Sequence, residues 1–153
     1  MADRASPLRN ASHLARRFFG SLSRRPPDAS DQAWVDEHLD AAQLALWARL
    51  GAPDQRHSIT VARRFVAIRP AATTPEIAGA LLHDIGKLNG PLGVVGRVVA
   101  TVVGPRGRRL RAYHDHEDLG AALLRDAGSD EVTVELVAGR GDAARDLAVA
   151  DHV

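Results

Sequence analysis

The run "ALLHDIGKLNGP", residues 80–91, sets His83 beside Asp84 and follows them with Lys87, the only lysine among 20 basic side chains. A neutral imidazole and a carboxylate are both ligands for a divalent ion. On a helix, adjacent residues project about 100° apart, so the pair can address one point only over the ridge between them, and an ion suits that geometry. A second imidazole, His57, falls on a stripe with Val61, Phe65 and Ile68 at spacings of three and four, which turns it toward a helical interior. Alone, such a histidine reads first as a hydrogen-bonded core residue. Antiparallel helices joined by a short connection would bring it to His83 and Asp84, and the two positions together favour an ion. The "GK" of this run is not a phosphate-binding P-loop. Leu81 stands where that loop has its first glycine, Leu88 replaces its Ser or Thr, and the run lies within a helical pattern.

Helices must position these residues. The chain has 153 residues, enough for one domain with a sizeable core, and is 45% hydrophobic but only 4% aromatic. A core made mainly of Ala, Leu and Val suits helices packed closely on helices. With no cysteine, disulfides, zinc-thiolate sites and thiol nucleophiles are excluded. Asp31 is a cap candidate for a helix over 32–50 that ends at Gly51 and Pro53, and a second helix covers 54–68. Thr74, Pro75 and Glu76 start a third, which carries His83 and Asp84 and stops near Asn89, Gly90 and Pro91. The β-branched run 92–104 is read as a helix among helical neighbours. A basic loop over 105–116 leads to a helix over 116–128 closed by Gly128, and Asp130 and Asp142 begin two short final helices. No strand pair or repeat is visible, so the expected class is all-α, a compact helical bundle.

Residues 1–30 read as a basic appendage to a domain spanning 31–153. The first 27 residues hold six Arg against one Asp, in a chain whose net charge is +1. Within "HLARRFFGSL", Leu14, Phe18, Phe19 and Leu22 can share a helical face opposite Arg16 and Arg17, which would allow weak contact of residues 10–25 with an anionic membrane surface. A solvated or self-packed tail is the plainer expectation. No apolar run approaches the roughly 18 residues a membrane-spanning helix needs. A soluble, cytoplasmic protein is expected, peripheral at a membrane if the tail binds one.

The order His57, then His83-Asp84, then Asp151 resembles the HD superfamily of metal-dependent phosphohydrolases, and the extended "HDIGK" sharpens the likeness. "HEDLGAALLRDAG" is similar to the stretch that follows the HD motif in the HD-GYP and related subgroup, which makes His116 the matching residue, and "LAVAD" resembles the helix that delivers the final aspartate. The resemblance covers residues 54–151. It implies an HD-type bundle in which His57, His83, Asp84 and Asp151 hold one divalent metal ion, with Mn, Fe, Ni, Co, Zn and also Mg as candidates. Two imidazoles and two carboxylates form a borderline-to-hard site, suited to activating water for attack on phosphorus. Alongside Asp84, the catalytic candidates are Lys87, four residues after His83 and placed to neutralise phosphate charge, and His116, near the scissile group.

The likeness has limits. Where subgroup members with several metals carry a His-His pair, this chain has "AGRGD", including Arg140 and Gly141, and no Gly-Tyr-Pro signature is present. A mononuclear site is therefore expected, and cleavage of cyclic dinucleotides is not. Arg106, Arg108, Arg109 and Arg111 precede His116 and read first as solvated surface, with some capacity to concentrate an anionic substrate. His114 reads as a polar loop residue, His13 and His38 as bystanders, and His152 as a weaker alternative to Asp151. The expected function is hydrolysis of a phosphate ester or phosphoanhydride of a nucleotide or related small molecule. The alternative is an HD-fold regulatory module that binds metal or nucleotide without turnover. Nucleic acid is not an expected partner, because the chain beyond the basic tail is net acidic.

Overall fold

The structure is a computed structural model that describes the backbone of residues 24–89 and 105–153 and the side chains of 24–88 and 116–153. The expected amphipathic segment within 1–23 and the expected helix over 92–104 lie outside the described residues. Among the described residues there are seven α-helices and one 3-10 helix and no strand, as the all-α expectation requires. The helices are α1 (Ala29–His38), α2 (Ala41–Trp47), α3 (Ala52–Ile68), α4 (Thr74–Leu81), α5 (Pro105–Asp126), α6 (Glu131–Val137) and α7 (Ala143–His152), with the 3-10 helix Ile85–Asn89 following α4. None of them is long and apolar enough to cross a membrane.

The single helix expected over 32–50 is two. Asp40 interrupts it, accepting a hydrogen bond from the Gln43 backbone while the Gln43 side chain accepts from the Asp40 N–H, a reciprocal cap that starts α2. The first helix also begins earlier than expected, capped by Asp28 rather than Asp31. Asp31 instead pairs with Arg63 at 2.8 Å, and that guanidinium lies over the Trp34 ring, fastening α1 to α3. The expected basic loop over 105–116 is helical and forms the first half of α5. Asp130 caps α6 as expected, and Gly128 closes α5 with a φ of 73°. Asp142 precedes α7 but makes no side-chain cap bond.

The core forms where α4 lies between α3 and α6, with α1 also against it. Phe65 and Val61 of α3, Leu81 of α4, Leu124 of α5 and Val134 of α6 are fully buried. Of the apolar stripe carrying His57, Ile68 is the member left exposed. Thr73 and Glu76 cap α4 reciprocally, and the buried Glu76 carboxylate also receives Arg69 at 2.9 Å. Burial would raise the Glu76 pKa. The Thr73 backbone N–H and the Arg69 guanidinium outweigh it and hold the carboxyl below its ordinary value.

Arg69 also reaches Asp146 of α7 at 3.3 Å. Since His57 meets Asp151 at the other end of that helix, α7 is tied to α3 near both of its ends.

Candidate metal centre

The helix carrying "HDIGK" stops before the motif. Leu82 is the C-cap of α4, and the bonds from Ile85 N–H to Leu82 C=O (2.9 Å) and from Lys87 N–H to Asp84 C=O (3.0 Å) tighten the chain into 3-10 geometry. His83 and Asp84 are therefore not two faces of one α-helix, as expected from sequence, but lie in the turn between two helices. The turn coincides with a close approach of another helix. A Cβ on Gly86 would stand 1.9 Å from the His116 carbonyl oxygen, so α5 and the 3-10 helix approach backbone to backbone, with Gly120 facing Gly86. Position 86 must be a glycine for this approach, since any Cβ there would overlap the α5 backbone.

This turn fixes His83. Its Nδ1 lies 2.9 Å from the Ala80 carbonyl, which can only accept, so Nδ1 carries the hydrogen and Nε2 a free lone pair in the neutral ring. Nε2 is buried and has no hydrogen-bond partner. Around it stand Asp84 Oδ2 at 3.7 Å and Asp151 Oδ1 at 3.8 Å. His57, from the second turn of α3, brings Nε2 to 3.0 Å from Asp151 Oδ1 and 3.9 Å from Asp84 Oδ2. The two imidazole rings are 5.6 Å apart between centroids.

Those separations test the fit of an ion. Atoms bonded to one ion at about 2.0–2.2 Å stand no more than about 4.4 Å apart. The four nitrogen–oxygen distances of 3.0, 3.7, 3.8 and 3.9 Å all satisfy that limit. His57, His83 and Asp151 form a group that could hold a metal ion, each offering one ligand atom, with these atoms all within 4.8 Å of one another. Asp84 stands beside this group, and its Oδ2 is also paired with Lys87 Nζ at 2.5 Å. Asp151, two residues from the end of the sequence, is held within α7 by His57. The hydrogen bond from His57 lowers its pKa to about 2, overcoming the opposing effect of burial, and His83 adds to the lowering.

The cluster lines a cleft of about 450 Å³, which Lys87, His116 and Glu117 also line. Apolar lining comes from Leu136 and Val137 of α6 and from Ala144, Leu147 and Ala148 of α7. Ala144, Ala148 and Asp151 recur at helical spacing, so one face of α7 supplies both the apolar wall and a ligand.

The structure thus brings His57, His83, Asp84, Lys87, His116 and Asp151 to one cleft. Lys87 reaches it by a different route from the one expected. It does not continue a helical face from His83 but eclipses Asp84, three residues back in 3-10 geometry. His152 is turned away, its Nδ1 bonded to its own helix at Ala148 O, 2.7 Å. His38 packs at a tilt against the Trp34 ring, its Nδ1 bonded to the Trp34 carbonyl, and does not line the cleft. The side chains of Arg106, Arg108, Arg109, Arg111 and His114 lie outside the described residues. Sequence reasoning passed over Glu117, although its place directly after His116 was a usable signal, and also the apolar wall, which only packing assembles.

The chain matches no model of a known protein family, no curated protein and no solved structure in the three comparisons made with it.

Proposed function

We propose that the protein is a metal-dependent hydrolase of the HD type that cleaves a phosphate ester or phosphoanhydride of a nucleotide or related small molecule. The observation that carries this reading is the buried, unpartnered Nε2 of His83, its tautomer fixed by Ala80 and its lone pair set among His57, Asp84 and Asp151. Leaving a buried nitrogen unpaired costs about 1–3 kcal/mol, a cost that binding an ion would offset. His57, His83 and Asp151, with Asp84 beside them, would hold one divalent ion, which supplies Lewis acidity toward water and a phosphoryl oxygen when bound.

The chain's own groups have distinct parts. Lys87 presents a cation at the cleft wall and would take up the negative charge of a phosphoryl group. His116 lines the same cleft and would give a proton to the leaving oxygen. The apolar wall from Leu136 to Ala148 would hold the organic part of the substrate, and about 450 Å³ is the size of a small-molecule site rather than of a groove for a polymer.

A second reading, an HD-fold module that binds metal or nucleotide without turnover, is favoured by one observation. Arg140, in the region where the resemblance calls for a histidine pair, is engaged by Glu135 at 2.8 Å and does not line the cleft. The deciding experiment is metal analysis of the purified protein, followed by a phosphatase and nucleotide screen with manganese, with Asp84→Ala alongside. Bound metal and turnover that Asp84→Ala removes support the hydrolase. Bound metal without turnover favours the module, and absence of divalent binding overturns both.

A further inference from the structure

We propose that Lys87 occupies the ligand oxygen of Asp84 until an anion draws it away, so that a divalent ion and a phosphate group enter the cleft cooperatively. The inference rests on the metal reading above and couples the two ligands of that site. Lys87 Nζ lies 2.5 Å from Asp84 Oδ2, and that same oxygen stands 3.7 Å from His83 Nε2 and 3.9 Å from His57 Nε2. One oxygen therefore faces both the ammonium and the imidazole pair. An ion among the imidazoles would meet either a carboxylate already neutralised or an ammonium a few ångströms away, and both weaken its binding.

The clasp is built into the backbone. The Lys87 N–H donates to the Asp84 carbonyl at 3.0 Å, and in 3-10 geometry side chains three residues apart eclipse, so the ammonium falls on the carboxylate without any tertiary help. An uninterrupted α-helix would have divided the ammonium between Asp84 and His83, three and four residues back. The two partners differ in freedom. The Asp84 side chain is 16% exposed, whereas that of Lys87 is 49% exposed on a flexible stem and lines the cleft. Lys87 is thus the partner that can turn to a new acceptor.

Among the neighbouring carboxylates, Asp151 has its Oδ1 engaged by His57 and Glu117 also has an interaction of its own. A phosphate or phosphonate arriving in the cleft brings several acceptor oxygens and up to two negative charges, a better partner for an ammonium than one shared carboxylate oxygen. Its arrival frees Asp84 Oδ2 to join His57, His83 and Asp151. By linkage the effect is mutual, so the anion tightens the ion by the same factor as the ion tightens the anion.

The test is manganese affinity, read by isothermal titration calorimetry, for the wild type, Lys87→Met, Lys87→Arg and Arg125→Met, each with and without methylphosphonate, a phosphate analogue with no bond to hydrolyse. Arg125 is exposed and paired with Glu131, so its loss changes net charge equally without touching Asp84. In the wild type, methylphosphonate should tighten manganese about fivefold, the scale of one partly exposed ion pair. Lys87→Met should bind manganese about fivefold tighter than wild type with no anion present, and gain less from methylphosphonate. Arg125→Met should behave as wild type does, and Lys87→Arg, which keeps the charge, should bind manganese less tightly than Lys87→Met when no anion is present. Equal manganese affinity in Lys87→Met and wild type, or an unchanged response to methylphosphonate in Lys87→Met, overturns the gate while leaving the metal site standing. Failure of every variant and of the wild type to bind manganese overturns the metal reading and the gate with it.

Discussion

The Nδ1 of His83 bonds the carbonyl of Ala80 at 2.9 Å, and this one contact decides which nitrogen of the ring faces the cleft. Ala80 lies in the last turn of α4, where carbonyls lose their helical partners, so the imidazole caps the helix and is oriented by it. His83→Ala should lower manganese affinity by more than about a hundredfold, since losing the bond that merely orients a ligand already costs roughly 10- to 100-fold. Calorimetric titration with manganese, with circular dichroism to show that the helices persist, checks this. Affinity within tenfold of wild type would remove His83 from the ligand set.

Asp151 should titrate near 2 in the metal-free protein, well below its ordinary value of 3.8, because His57 donates to it. Folding lowers this pKa, so the associated stability is fully present above 3.8 and is lost as pH falls through about 2. The carboxylate is partly exposed, and solvent screening leaves about 1 kcal/mol for the pair. Carboxyl carbon NMR of the wild type and His57→Ala measures the effect, and the variant's Asp151 should titrate higher.

Glu76 offers a second acid-sensitive contact, away from the metal ligands. Its pKa is held below the ordinary 4.5 by the Thr73 N–H and Arg69 against the opposing effect of burial. Its contribution is therefore present above 4.5 and fades on acidification through the lower folded value. Glu76→Gln should be destabilised at neutral pH by about 1–2 kcal/mol, the scale of a lost charge-assisted bond to a buried group. The difference in urea midpoints from wild type should shrink as pH falls; a difference that stays constant would show that packing rather than charge is at work.

Gly86→Ala should cost about 3 kcal/mol, at the upper end of overpacking effects, because the new Cβ would meet the His116 carbonyl, which belongs to the backbone of α5 and cannot rotate aside. Gly120→Ala should be milder, since the nearest atom to its Cβ is the Val137 side chain at 3.0 Å. Urea denaturation ranks the two. A Gly86→Ala protein as stable as Gly120→Ala would mean that α5 and the 3-10 helix are not held at backbone contact.

Much of the fold was legible because its signals are local. Thr74, Pro75 and Glu76 mark the start of α4 by chemistry that needs only neighbouring residues, although the capping side chain is that of Thr73, one residue earlier, and the stripe of Val61 and Phe65 marks the buried face of α3 by period alone. The break at Asp40 is masked in the sequence although Asp40 and Gln43 form a cap of the same kind, because apolar residues on both sides sustain a helical pattern across it. The charge of the basic run after Pro105 suggests a loop. Arginine is nevertheless a good helix former, and the run is the beginning of a long helix.

The candidate site divides along the same line. Residue types and order in the sequence determined which groups could act: His57, His83, Asp84, Lys87, His116 and Asp151 all carry chemistry that a short-range reading can recognise. Only the tertiary structure decided how they meet. Close approach of α5 at Gly86 accompanies the end of the α-helix before His83, puts Asp84 and Lys87 three residues apart in eclipsed register, and leaves His83 Nε2 buried without a partner. The sequence carries no local mark of that outcome, because the steric demand comes from a backbone 30 residues away, at His116.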